Sequence, residues 1–325
     1  MSQQLKPIRW GIIGLGNIAH KFAKDLLTIE DSQLYAVASR TQDKANEFAN
    51  LYNAEKAYAI YEDLANDKNI DAVYIATPHV FHKENTIMCL KKGIAVLCEK
   101  PFAMNVQEVE DMIACARENN TLLMEALWTY FLPHYQYVLD IIKNKKYGEV
   151  LKFEADFGFV VTPDESSRTY NKSLGGGSLL DIGIYPIFAA LSNFGEPKSI
   201  EAKATFFKNE TDSSCDMVFQ YNNHNSYLKS SFIENTPVEA IITCEKATIK
   251  INRMFHMPTT VSIIINGNEE IIDFRNNTIG YNFEAIHFNN LIKEGKKESD
   301  VMTFDFSRKL IKLLDNVSDI IGLKY

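Results

Sequence analysis

Ile8-Arg9-Trp10-Gly11-Ile12-Ile13-Gly14-Leu15-Gly16-Asn17-Ile18-Ala19 is the stretch that decides the fold. A strand-like apolar run enters a glycine turn, and the turn opens a helical pattern with Ile18, Phe22 and Leu26 on one face. Gly14 allows a tight turn. Gly16 lets the backbone approach a pyrophosphate, and Ala19 is small enough for close helix–strand packing. Free N–H groups where Asn17 and Ile18 start the helix would meet the phosphates. The context of strand, turn and helix reads as dinucleotide binding; the alternative is a tight structural turn.

Outward from that turn, the first half alternates short apolar runs with helical patterns. Strands are predicted at 8–14, 34–39, 57–59, 71–77, 94–99 and 122–127, and helices at 17–27, 42–52, 62–65, 83–92 and 106–118. Thr41 is placed to cap the second helix and Gly93 to close the fourth. Nearly unbroken apolar strands between helices imply a parallel sheet covered on both faces. The expected fold class is therefore α/β, a doubly wound Rossmann domain over residues 1–127.

After Trp128 the texture changes. One helix is expected over 133–145, then an extended segment over 149–161, a polar loop and a helix after Gly175-Gly176-Gly177. From 199 to 274 the chain reads as hairpins, with turns at Asn222-Asn223-His224-Asn225, Glu245-Lys246 and Asn266-Gly267-Asn268. Helices over 281–293 and 303–320 follow. Residues 128–325 are thus expected to form one α+β domain on a mostly antiparallel sheet. No Pro/Gly/Ser-rich linker separates the halves, so a cleft between packed domains is expected.

The chain has 325 residues, 46% hydrophobic and 23% charged, ordinary values for a soluble globular protein. No apolar run approaches the ~20 residues of a membrane span, and no signal peptide opens the chain, so no membrane partner is expected. Five cysteines without a C-x-x-C spacing read as reduced core thiols of a cytoplasmic protein. A net charge of −8 argues against a nucleic-acid partner.

Cofactor choice is read at Ala38-Ser39-Arg40-Thr41, after the second strand. A site for NAD would place a carboxylate there for the ribose 2′-hydroxyl. Ser39 and Arg40 instead suit a 2′-phosphate, so NADP is expected, with a solvated surface charge as the alternative for Arg40. Thr77-Pro78-His79 lies at a strand's carboxyl end, where ligands of open α/β sheets bind. Thr77, His79 and Glu99 join the cofactor-binding set; His82 reads as structural.

Cys98-Glu99-Lys100-Pro101 puts a lysine at the mouth of a buried strand. Neighbouring strand side chains point to opposite faces, so Glu99 and Lys100 need not pair. Downstream, Gly175-Gly176-Gly177-Ser178-Leu179-Leu180-Asp181-Ile182-Gly183-Ile184-Tyr185-Pro186 sets Asp181 and Tyr185 at i,i+4 on a helix. Oxidising an alcohol needs a base for the hydroxyl proton while hydride leaves the carbon. A free tyrosine, pKa about 10, becomes a better base beside a lysine ammonium. Asp181 would hold a substrate hydroxyl or position Lys100. Taken singly, Tyr185 also reads as a half-buried helix aromatic and Asp181 as a helix-start charge.

These segments together resemble the Gfo/Idh/MocA oxidoreductase family. Met124–Thr129, Ala155–Phe159 and the stretch from Gly280 to Asp315 are more similar to one branch, that of dimeric trans-1,2-dihydrobenzene-1,2-diol dehydrogenase and NADP-dependent D-xylose 1-dehydrogenase. The resemblance implies a second domain on an open sheet, substrate-binding and dimer-forming. It implies that Lys100–Pro101 is cis and that Tyr185 is the acid/base. Inositol dehydrogenases carry histidine at that position, which counts against inositol. Trp128, Phe131, Phe157 and Arg168 fall where branch members line the cleft; Tyr130 departs from the branch's usual arginine.

The expectation is an NADP-dependent dehydrogenase of a sugar, such as D-xylose at C1, or of a cyclic diol. The alternatives are a reductase of a dicarbonyl sugar such as 1,5-anhydrofructose and a non-catalytic NADP-sensing regulator. A metal-dependent hydrolase has only His79 and His82 to offer, and no metal is expected.

Overall fold

The structure is a computed structural model and describes residues 6–325. Two compact units divide the chain: the residues up to Trp128 with Thr278–Arg308, and Thr129–Asn277 with Lys309–Tyr325.

In the first unit, strands and helices alternate: β1 Ile8–Ile13, α1 Asn17–Leu26, β2 Ser32–Ala38, α2 Gln42–Tyr52, β3 Lys56–Tyr58, α3 Tyr61–Asn66, β4 Ala72–Ile75, α4 His82–Leu90, β5 Ala95–Glu99, α5 Val106–Glu118 and β6 Leu123–Ala126. The sheet is parallel, in the order β3-β2-β1-β4-β5-β6. Strand order therefore reverses between β1 and β4, opening a crevice at their carboxyl ends. β4 and β5 are buried along their whole length, as central strands covered on both faces must be. Thr41 stands at the N-cap of α2, but its side chain makes no cap bond there.

A single boundary after residue 127 misses one return of the chain. Helix α8, Tyr281–Lys293, belongs to the first unit. It buries Ala285 and Phe288. Its Asn289 side-chain Oδ1 accepts the Trp10 indole N–H at 3.1 Å. Apolar area and a buried indole donor together hold this segment to β1.

The second unit holds α6 Pro133–Lys143, β7 Val150–Gly158, α7 Ile184–Phe194, and the strands β8 Ser199–Phe206, β9 Asp212–Gln220, β10 Asn225–Ser231, β11 Ala240–Cys244, β12 Thr248–Ile251, β13 Thr260–Ile265 and β14 Asn268–Asp273. The eight-stranded sheet runs β14-β13-β12-β11-β7-β10-β9-β8. All its pairs are antiparallel except β7 with β10. Asn266 and Gly267, with φ of 51° and 80°, make the two-residue hairpin turn that matches strand twist. The last helix, α9 Phe304–Ile321, straddles the division at Arg308.

Two local expectations need correction. The segment after the glycine triplet is not one α-helix. It opens as a π-helical turn, Leu179–Gly183, before α7. And Lys172–Phe194 is long and apolar enough to cross a membrane by length and composition, but most of it is buried as a core segment of the second unit. All five cysteines are free and buried.

Candidate functional site

The nucleotide crevice of the first unit is built on Gly14, whose φ is +89°. A Cβ there would meet the Ala76 carbonyl carbon and the Thr77 nitrogen at 2.8 Å, so the turn packs directly on the backbone leaving β4. Gly16 has the opposite surroundings: nothing lies within 4 Å of where its Cβ would be. α1 starts there with no side-chain cap and no acidic residue in its first turn. The N–H groups of Asn17 and Ile18 thus begin a helix beside open space, which fits a dinucleotide pyrophosphate. At the end of β2, Ser39 is buried and Arg40 exposed, within electrostatic reach of the Tyr61 phenol.

β5 delivers Lys100. The buried Glu99 carboxylate accepts the Lys100 backbone N–H at 3.1 Å and the Tyr74 hydroxyl through its other oxygen. The Lys100–Pro101 bond is cis. His82 sits between two backbone carbonyls, of Thr77 and Pro101, each 2.9 Å from a ring nitrogen. Burial, reinforced by His79, lowers its pKa to about 3. A neutral ring has one N–H, so it donates to one of these carbonyls, and the segments after β4 and β5 meet at the ring. His79 is buried one short turn earlier.

Two acids here escaped the sequence reading. Glu125 on β6 is buried, and its Oε1 accepts the Phe102 N–H at 3.0 Å. Burial raises its pKa to about 7. Glu284 on α8 is wholly buried with neither carboxyl oxygen hydrogen-bonded. Burial, then Glu99 and Asp25, push its pKa well above the carboxylate range. The available signal was its spacing with Tyr281, Ala285 and Phe288, which sets a carboxyl on an apolar helix face.

In the second unit the π turn sets Asp181 and Tyr185 across its junction with α7. Such turns widen a helix locally. Tyr185 is buried, its ring 5.6 Å from Phe157 and 4.9 Å from His256. Phe157 and His256 lie 4.4 Å apart. His256 comes from the loop after β12, and nothing in the local sequence marks it. Asp181 is buried and accepts Arg168 Nη1–H at 2.9 Å, while the Arg168 side chain stays half exposed. Thr129 donates to the His256 carbonyl at 3.0 Å, fixing that loop to the short turn Trp128–Phe131. On that turn Tyr130 packs edge-on against Phe188, with Phe131 beside it. Trp128, in the first unit, is buried and stacked 4.3 Å from Tyr281.

Gly14 is thus brought against Thr77, Tyr185 against Phe157, and Asp181 against Arg168. Among the described residues, no group of three or more His, Cys, Asp or Glu side chains is gathered to hold a metal ion.

With its Rossmann unit and its relatives, the chain is an NAD(P)-dependent oxidoreductase acting on CH–OH groups. The chain belongs to the Gfo/Idh/MocA family: the model of its NAD-binding Rossmann fold matches residues 8–127, and that of the GFO/IDH/MocA C-terminal domain residues 135–250. It is 36% identical to a trans-1,2-dihydrobenzene-1,2-diol dehydrogenase of Xenopus tropicalis, over 98% of this chain and 99% of that one. It is 35% identical to a scyllo-inositol 2-dehydrogenase (NADP(+)) of Bacillus subtilis, over 98% of both chains. A 3-ketoreductase from Actinomadura kijaniata, solved with NADP and TDP-benzene, superposes with a TM-score of 0.87 at 26% identity, covering 97% of this chain and 98% of that one. The Bacillus relative is named for an inositol.

Proposed function

We propose that this oxidoreductase uses NADP(H) and moves hydride between nicotinamide and a CH–OH group of a sugar, cyclitol or cyclic diol, with Tyr185 as acid/base and Lys100 as its partner. The observation that carries the reading is the buried turn of the second unit. Tyr185 is held against Phe157 and His256 there, four residues from an aspartate anchored by Arg168.

Bound nicotinamide supplies the hydride acceptor. In oxidation the substrate C–H bond breaks with hydride loss, and Tyr185 takes the hydroxyl proton, so the alcohol becomes a carbonyl. Lys100 orients that hydroxyl, and its charge favours the phenolate. Asp181 accepts a neighbouring hydroxyl. Phe157, Phe131 and Trp128 give apolar faces to a ring, and Arg168 a hydrogen-bonding edge. In reduction Tyr185 returns the proton.

Ser39 and Arg40 support NADP, as donors for a 2′-phosphate where NAD would meet a carboxylate. The relatives named with NADP point the same way. Gly14, Gly16, Asn17 and Ile18 would hold the pyrophosphate; Thr77, His79 and Glu99 would lie toward the nicotinamide.

The test is near-ultraviolet absorbance of the reduced cofactor, with NADP⁺ and NAD⁺ in parallel against aldoses, inositols and trans-diols. Turnover of one class with NADP⁺ establishes the reading. A second reading, a reductase working on a ketone, is favoured by the ketoreductase likeness. It predicts silence in that panel and oxidation of NADPH by dicarbonyl sugars. Inertness in both directions with tight NADP binding would sink both.

We also infer a homodimer through the eight-stranded sheet. Glu154, Asp156, Glu201 and Asp216 share a concave patch with Lys203 and Lys229, a surface of both charges that suits a second copy of itself. Sedimentation showing a monomer at micromolar concentration would rule that out.

A further inference from the structure

The turn that leads into the helix of Tyr185 begins on a carboxylate that none of these roles uses. Asp212, the first residue of β9, is wholly buried. Its Oδ2 accepts the Ser178 hydroxyl and the Leu179 backbone N–H, both at 2.7 Å. The Ser178 hydroxyl also meets Ser230 Oγ on β10 at 2.9 Å. The π turn has no cap from its own N-cap side chain. Asp212 supplies one from a strand more than thirty residues further on.

The seat depends on Gly177. Its φ is +124°, and a Cβ there would stand 2.1 Å from Asp212 Oδ1. Any side chain would push the carboxylate off the turn. Oδ1 itself is buried without a hydrogen bond. The Tyr325 hydroxyl lies 3.3 Å from the same Cβ point. After burial, Asp212 and then Asp181 raise the Tyr325 phenol's pKa, so Tyr325 faces both acids. One oxygen of Asp212 thus holds the turn, and the other lies on the side of Gly177 and the Tyr325 hydroxyl.

We propose that Asp212 is a positioning residue of the reaction, its carboxylate fixing the turn that bears Asp181 and leads into the helix of Tyr185, with Tyr325 completing the seat. This rests on the reading of Tyr185 as the acid/base. The geometry suits an ionised group, since both bonds at Oδ2 are donated to it and both are stronger to a charged acceptor. Burial raises the Asp212 pKa to about 6, against the pull of Ser178 and Leu179. The titratable groups facing it are Tyr325 and, on its own strand, Cys215. Ser178 and Ser230 meet it from the turn and from β10. The seat is therefore half charged near pH 6, charged well above it and neutral well below it.

The experiment compares Asp212→Asn and Asp212→Ala in the full chain, with NADP⁺ and the panel member that turns over. Asp212→Asn imitates the protonated acid. It should lower kcat about fivefold near neutral pH and erase the acid limb near pH 6, with KM for NADP⁺ unmoved. Asp212→Ala should cost about 100-fold in kcat, the scale of a misplaced catalytic group. Hydrogen exchange at the Leu179 amide should accelerate in Asp212→Ala. Wild-type kcat and pH profile in both variants would overturn the proposal, even with faster exchange. Unchanged exchange would overturn the seat itself. If Asp212→Ala does not fold, the shape-preserving Asp212→Asn decides through its pH profile. Failure of the underlying reading looks different: Tyr185→Phe stays active while the Leu179 amide still answers to Asp212.

Discussion

The Asp25 carboxylate accepts the backbone N–H of Tyr281 at 2.8 Å, tying α1 to the start of α8 across 256 positions of chain. It also accepts the N–H groups of Ile279 and Gly280, at 3.0 and 2.7 Å. Gly280, the N-cap of α8, has φ of 118° and no side chain to cap with. Asp25 is therefore a remote cap for a helix whose N-terminal dipole favours an anion. Asp25→Ala orphans three N–H groups and should cost ~3 kcal/mol or more. Urea unfolding measures this; a loss below ~1 kcal/mol would show that water replaces the cap. Asp25→Asn should recover part of the loss.

Tyr185→Phe removes the hydroxyl that carries the proton in the proposed reaction. The ring keeps its contacts with Phe157 and His256, so the melting temperature should hold. Turnover should fall by about 10²–10⁴, the usual scale for an acid/base group. Cofactor binding, measured by fluorescence of the reduced nicotinamide, should not move. Retained turnover would transfer the proton role to another group.

Arg40→Ala separates the two cofactors. Arg40 is exposed at the end of β2, so its loss should leave stability untouched. One charge-assisted contact to a 2′-phosphate is worth roughly 1.5–3 kcal/mol, or about 10- to 100-fold in NADP affinity. NAD affinity should stay level or rise. Equal affinities before and after would mean the arginine is plain surface charge.

Most of the first unit can be read from sequence because its signals are local. Parallel strands announce themselves as apolar runs, and Gly14 and Gly16 mark a turn that few other residues permit. The features that sequence hides all depend on distant partners. β7 and β10 pair in parallel although hairpin turns dominate around them, and no local pattern encodes that register. The segment Thr278–Arg308 joins the first unit through Asp25 and Trp10, near the other end of the chain. The π turn starts where Asp212 accepts from Ser178 and Leu179, and His256 reaches Tyr185 from a loop. Lys100, Asp181 and Tyr185 stand out in the sequence because their chemistry is unusual at their places in strand and helix. Asp212 and His256 are ordinary in sequence, and only the fold sets them beside the π turn and Tyr185.

Glu125 gives the stability of the first unit a pH dependence opposite to that of a salt-bridged acid. Its folded pKa, about 7, lies above the unfolded value of about 4.3. Burial is the main cause, with bonds from Ser307 and Phe102 pulling the other way. A raised carboxyl pKa means that the folded protein holds the proton more tightly. The stabilisation is then complete below about pH 4 and is lost as pH rises through about 7. Glu125→Gln keeps an oxygen for the Phe102 N–H but has nothing to ionise. Relative to the natural protein, the variant should gain roughly 2–3 kcal/mol between mildly acidic and mildly alkaline conditions. Asp212 and His82 titrate in both proteins, so they cancel from the difference. Unfolding midpoints of the two proteins across that range test this. A gap that does not change with pH would mean that Glu125 is already ionised at neutrality, with a cation beside it.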